Sequence, residues 1–199
     1  RSTARDLREV AKCIYGIENT NLLPPNAQPH FFQVSNGGYD THSDQGAGDA
    51  NGQHFGLHAE VAGAVNIFFR DLADMKPGLE DRVLVVIWSE FSRRIEQNEN
   101  GTDHGSQGPM FVVGGAVNGG VYGNHPNIAE SAWDDQGNTE YRQDATPFRS
   151  TDFRDVYGTI LKHWLGLSQG VIVPAILQLD SGPAQYYWTT PNFDLGFLP

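Results

Sequence analysis

The chain has one cysteine, Cys13, among 199 residues. A single thiol excludes an intrachain disulfide and any zinc site built from thiolates. Cys13 falls in an apolar helical stripe, which predicts a buried core position. Cations are scarce as well: 13 Lys and Arg against 24 Asp and Glu leave a net charge of −11. They never cluster beyond Arg93-Arg94. With no basic cluster to meet a phosphate backbone, nucleic acid is disfavoured as a partner and none is expected. No apolar run approaches the roughly 18 residues of a membrane span, so none is expected. The chain shows no signal peptide and begins at Arg1, which suggests that a leader or a longer N-terminal region has been removed. No internal repeat is visible.

What is present suffices for about one domain, since 39% of the residues are hydrophobic. Leu7, Val10, Ala11 and Ile14 recur at three and four residues, predicting an amphipathic helix ended by Gly16. His30 to Ser35 reads as a short strand. A second helical period runs through Leu57, Val61, Ala64, Val65, Phe68, Phe69 and Leu72 and is stopped by Pro77-Gly78. Arg82 to Trp88 reads as a strand buried on both faces. Helix, strand, helix, strand implies a right-handed crossover and hence an α/β fold, a mostly parallel sheet flanked by helices. Met110 to Val113 adds a strand, and Gly119 to Gly123 a shorter extended piece. Residues 124–150 are polar and aperiodic. Asp152 to Leu165 predicts a last helix, capped by Thr151 or Asp152 and closed by Gly166. This places a domain over residues 1–170 and an irregular, aromatic-rich tail over 171–199.

Two short motifs carry the chemistry. Gly101-Thr102-Asp103-His104-Gly105 offers a carboxylate and an imidazole side by side in a Gly-bounded turn beyond a buried strand. Asp40-Thr41-His42 follows Gly37-Gly38 at the end of the earlier strand. Alternate residues of extended chain point the same way, so this D-x-H pair can converge on one ion. In an α/β sheet both pairs would lie beyond the strands' carboxyl ends, where ligands bind. Oxygen and nitrogen donors together suit Zn²⁺, Mn²⁺ or Fe. The plainer alternative for each pair is a turn or capping role. His54 and His58, at i and i+4, can hold a metal or stand as solvated surface, with His58 the better candidate. His125, after Gly119-Gly120-Val121-Tyr122-Gly123, is a further candidate ligand. Glu90 either orients a ligating histidine or pairs with Arg93 or Arg94. Asp44, Asp49 and Asn51 lack the ordered spacing of a calcium loop and read as solvated.

The motifs Val34-Ser35-Asn36-Gly37-Gly38-Tyr39-Asp40-Thr41-His42, Trp88-Ser89-Glu90-Phe91-Ser92-Arg93, Gly101-Thr102-Asp103-His104-Gly105 and Gly119-Gly120-Val121-Tyr122-Gly123, in this order, resemble the bacterial DUF1501 family. That family is similar to the alkaline phosphatase and sulfatase superfamily of metal-dependent hydrolases. The resemblance implies an alkaline-phosphatase-like fold, here its C-terminal part, because family members are about twice as long. The superfamily's nucleophile belongs to the preceding half, absent from this chain. Ser92 stands where the family usually has glycine. The resemblance further implies hydrolysis of a small phosphate or sulfate ester. A divalent ion, zinc first and Mn, Fe, Ca or Mg after it, would be held by Asp40, His42, Asp103 and His104, with His58 and His125 as further candidates. Arg93 would clamp the anionic group by its planar fork, and Glu90 would assist at the site. A missing N-terminal half or a partner chain, and a periplasmic or secreted location, are likewise implications of the resemblance. The rival expectation is a non-catalytic extracytoplasmic module that docks through Tyr186-Tyr187-Trp188 and Phe193 to Phe197.

Overall fold

The computed structural model describes residues 2–19, 29–46, 49–105, 108–123, 151–178 and 191–199. The chain forms two compact units, one built on residues up to Gly115 and the other on residues from Ala116 onward.

In the first unit, helix α1 (Thr3–Asn19) and helix α2 (Gln53–Met75) pack together. The three-and-four spacing works as the sequence predicts: Leu7, Ala11 and Ile14 of α1 are buried against Ala64, Val65, Phe68 and Leu72 of α2. Cys13 is exposed, however, because it lies one position off that stripe and faces away from the core. Leu72 has no exposed surface, and Leu79, in the turn before a 3₁₀ segment at Glu80–Arg82, completes the cluster. Glu18 joins the ends of the two helices, accepting from Lys76 Nζ at 2.7 Å and pairing with Arg82 Nη1 at 2.7 Å.

The described strands are short: β1 (Val85–Ile87), β2 (Ser92–Gln97), β3 (Thr102–Gly105) and β4 (Phe111–Val113). They pair as two separate two-stranded antiparallel sheets, β1 with β4 and β2 with β3. The protein therefore mixes helix and strand, but the expected mostly parallel sheet is not found among the described residues. The expected strand at His30 to Ser35 is also absent. That segment runs without regular structure, and Phe31 is 79% exposed. Without a neighbour to complete its ladder, an apolar run is not held as a strand. The run Val83 to Trp88 shortens to β1, which is half-buried rather than covered on both faces. Its inner side chains and Val113 lean on the α1–α2 core.

The second unit contains α3 (Phe153–Thr159), a single π-helical segment (Ile160–Trp164) and α4 (Gln169–Gln178). Asp152 caps α3 by accepting from the Arg154 N–H at 2.9 Å, and Gly166 ends the π segment at φ +68°. Helix α4 occupies ground where the sequence predicts an irregular tail, and it supplies core: Ile172 and Ile176 are buried with Phe193. The aromatic tail is thus inward-facing where it is described, with Phe193 at 3% and Phe197 at 4% exposure. Tyr186-Tyr187-Trp188, residues 124–150 and His125 lie outside the described residues. No described helix is long and apolar enough to cross a membrane.

Candidate metal centre

A β-hairpin and an extended loop build the site. Asn98 forms the hairpin's turn, its side-chain Oδ1 accepting from Gly101 N at 2.9 Å and its own N–H donating to Gly101 O at 3.0 Å. The Asp103-His104 pair consequently lies in strand β3 and not in a turn. Arg93 of β2 stands opposite His104 in the ladder. Thr102 and His104, two apart on one strand, share the face that Arg93 also occupies.

The extended loop Tyr39 to Gln45 lies against the start of β3. Thr102 N donates to Thr41 O at 3.3 Å, and Gln45 N to Asn100 O at 3.1 Å. A Cβ at Gly101 would collide with the His42 carbonyl and sit 2.5 Å from Thr41 O. Only glycine lets the hairpin come this close. The approach brings residues 40 and 42 up to residue 104.

Asp40 Oδ1, His42 Nε2 and His104 Nε2 form a tight triangle with sides of 2.9, 2.8 and 3.1 Å. It is the only group of three such side chains among the described residues with donor atoms all within 4.8 Å. This cluster could hold a metal ion. All three residues are exposed, so the triangle is reachable from solvent. The D-x-H alternation read from the sequence does place Asp40 and His42 together.

Hydrogen-bond chemistry shows what the triangle offers. His42 Nδ1 faces Asp103 Oδ1 at 3.2 Å. A carboxylate only accepts, so a neutral His42 carries its hydrogen on Nδ1 and turns the Nε2 lone pair into the triangle. Asp103 thereby stands behind His42 instead of among the converging atoms, a place where carboxylates orient metal-bound imidazoles. Asn98 Nδ2 donates to the same Asp103 oxygen at 3.3 Å. Without an ion, one hydrogen on His104 Nε2 can serve both Asp40 Oδ1 and His42 Nε2. A cation would take that hydrogen's place. The His104 ring is further fixed by stacking on Phe91, with centroids 3.9 Å apart and planes 16° from parallel.

Arg93 Nη1 donates to Asp40 Oδ1 at 2.8 Å, Nε donates to Thr102 Oγ1 at 3.0 Å, and Nη2 to Thr102 O. Its fork therefore rests on protein oxygens, and its guanidinium also lies 5.7 Å from the Phe91 ring centre. The Asp40 carboxyl is held below its usual range by hydrogen bonds from His104 first and Arg93 second. His42 does the same for Asp103.

The remaining candidates fall elsewhere. His58 Nε2 lies 3.2 Å from His54 Nε2 on α2, beside Tyr39, and outside the triangle. Burial first, and the neighbouring charges of His58 and Arg93 after it, push the His54 imidazole down. Glu90 is exposed and accepts from Ser89 Oγ at 3.4 Å. Four contributors escaped the sequence reading: Phe91, Asn98, Thr102 and Gln45. As single polar or aromatic residues in short segments they leave no spacing signal.

A model of the family described as protein of unknown function, DUF1501, matches residues 25–170. The chain belongs to the DUF1501 family. No curated protein and no solved structure is significantly similar to it. The matched region of this DUF1501 chain contains both halves of the triangle.

Proposed function

We propose that this DUF1501 chain carries the metal centre of a hydrolase acting on phosphate or sulfate esters. The observation behind the reading is the convergence of Asp40 Oδ1, His42 Nε2 and His104 Nε2 on one exposed point. Asp40, His42 and His104 would hold the ion. Their mixed oxygen and nitrogen donors suit Zn²⁺, the ion expected first from the sequence, and equally Mn²⁺ or Fe²⁺.

A bound divalent ion supplies Lewis acidity toward an ester oxygen and stabilises the charge that develops there. The chain's residues would hold and position that ion. Asp40 gives the negative charge, and His42 and His104 give neutral nitrogens. Asp103 holds His42 in the tautomer that leaves Nε2 open, and Arg93 steadies Asp40. All three residues are exposed, so an anionic substrate could reach an ion held there. The assignment of esters rests on the family's resemblance to the alkaline phosphatase and sulfatase superfamily.

The test is elemental analysis of the isolated protein and of His104→Ala, followed by hydrolysis of p-nitrophenyl phosphate and p-nitrophenyl sulfate by the metal-loaded wild type. We expect about one equivalent of a transition ion, lost in the variant, since the site loses one of its three protein ligands. Equal metal in both proteins would remove the triangle as the site. Metal-dependent turnover of either ester would support the hydrolase reading, and a wild type that holds no metal would remove it.

A further inference from the structure

Arg93 can only donate hydrogen bonds, and this fixes the direction of the bonds behind it. Its Nε donates to Thr102 Oγ1 at 3.0 Å. Thr102 then directs its single hydroxyl hydrogen to Gln45 Oε1, 2.8 Å away. That leaves Gln45 Nε2 facing His54 Nδ1 at 3.3 Å. An amide nitrogen donates, so His54 Nδ1 accepts and the neutral ring carries its hydrogen on Nε2. That hydrogen meets His58 Nε2 at 3.2 Å. From Arg93 outward the donors thus run one way to α2, while the other end of the guanidinium grips Asp40 Oδ1 at 2.8 Å. The middle of the chain is buried, Gln45 at 6% and Thr102 at 8% exposure. There a missing partner is not replaced by bulk water.

We propose that Thr102 and Gln45 are positioning residues: their one-way hydrogen bonds lock the Arg93 fork so that it sets Asp40 Oδ1 opposite His42 Nε2 and His104 Nε2. The same chain commits His54 to hydrogen bonding with His58. This rests on the metal-centre reading above. Asp40 is exposed and sits on an irregular loop. The oxygen of such a residue is placed only as well as its anchor, and Arg93, with 12% of its side chain exposed, is that anchor. Holding the anchor from behind is how partners one step removed from an ion tune its binding.

The experiment is a titration with Co²⁺ alone, read by its visible ligand-field bands, on wild type, Thr102→Val and Thr102→Ser. Valine keeps the shape of threonine and removes the hydroxyl. Its Co²⁺ affinity should fall about 10- to 100-fold, and serine should restore it to within about threefold. Circular dichroism of the three proteins should coincide. Wild-type binding with an unchanged Thr102→Val variant would overturn the positioning role and leave the metal centre standing. No Co²⁺ binding by wild type would overturn both. A measurement on the unaltered protein tests the direction of the chain: ¹⁵N shifts of the histidine ring at neutral pH should place the His54 hydrogen on Nε2. In Gln45→Glu, where a carboxylate oxygen faces His54 Nδ1, the hydrogen should move to Nδ1. A wild-type His54 protonated on Nδ1 would overturn the chain.

Discussion

Gly63 and Gly158 both stand inside helices, yet the same change to alanine should move stability in opposite directions. Within a helix alanine gains about 0.5–1 kcal/mol over glycine, because less backbone freedom is lost on folding. At Gly63 in α2 an added Cβ meets nothing within 4 Å. Gly63→Ala should therefore realise the full gain. At Gly158 in α3 the Cβ would enter the ring of Phe193, 2.8 Å from its Cγ and closer still to Cδ1 and Cε1. Carbon atoms pack no closer than about 3.5 Å without cost. Phe193 must therefore move, although it is 3% exposed and buried in one cluster with Ile172 and Ile176. Overpacking of this kind costs about 1–3 kcal/mol, and partial expulsion of the ring forfeits some of the about 1.5–3 kcal/mol that a buried Phe contributes. After subtracting the helix gain, Gly158→Ala should lose about 1–3 kcal/mol. Urea unfolding monitored by circular dichroism separates the two signs. Phe193→Leu in the Gly158→Ala background should recover part of the loss. If Gly158→Ala matches wild type while Gly63→Ala is stabilised, Phe193 does not pack on α3.

The carboxyl of Glu18 is held below its ordinary value, by the hydrogen bond from Lys76 first and also by Arg82. Its contribution to stability is therefore complete above that value and fades as pH falls through the depressed one. Glu18→Gln should cost about 1 kcal/mol at neutral pH and flatten the acid limb of a stability-versus-pH curve, since its cationic partners are largely exposed. A wild-type curve retained in the variant would show that the two pairs are idle. Ser92 Oγ is buried without a hydrogen-bond partner. Ser92→Gly removes a penalty of about 1–3 kcal/mol at the expense of about 0.5–1 kcal/mol of strand propensity, for a net gain near 1 kcal/mol. An unchanged or lowered unfolding midpoint would mean that the hydroxyl is satisfied in solution.

How much of this was legible in the sequence depended on whether a signal is periodic or pairwise. The stripes of α1 and α2 identified their buried residues, because a helix face is written in one stretch of chain. Asp40, His42 and His104 were legible as chemistry, since few residue types bind metals. Their separation from Asp103 was not, because it depends on β3 being a strand. Thr102-Asp103-His104-Gly105 has poor intrinsic strand character and becomes one only by pairing with Ser92–Gln97. The converse holds at His30 to Ser35, where a good local pattern has no ladder to join. Cys13 shows how one position decides burial: at 100° per residue, the neighbour of Ile14 points out of the core.

His42 and His104 lie 62 residues apart. Their meeting closes a long loop, so the donor triangle exists only after α2 and the hairpin have both found their places. An ion that bound there would favour the completed structure over every partly assembled one, and would add its binding free energy to the stability of the first unit by mass action. Metal affinity would then report the state of folding as much as the chemistry of the site. A change far from the triangle, such as one that loosens α2, would first become visible as a lost ion.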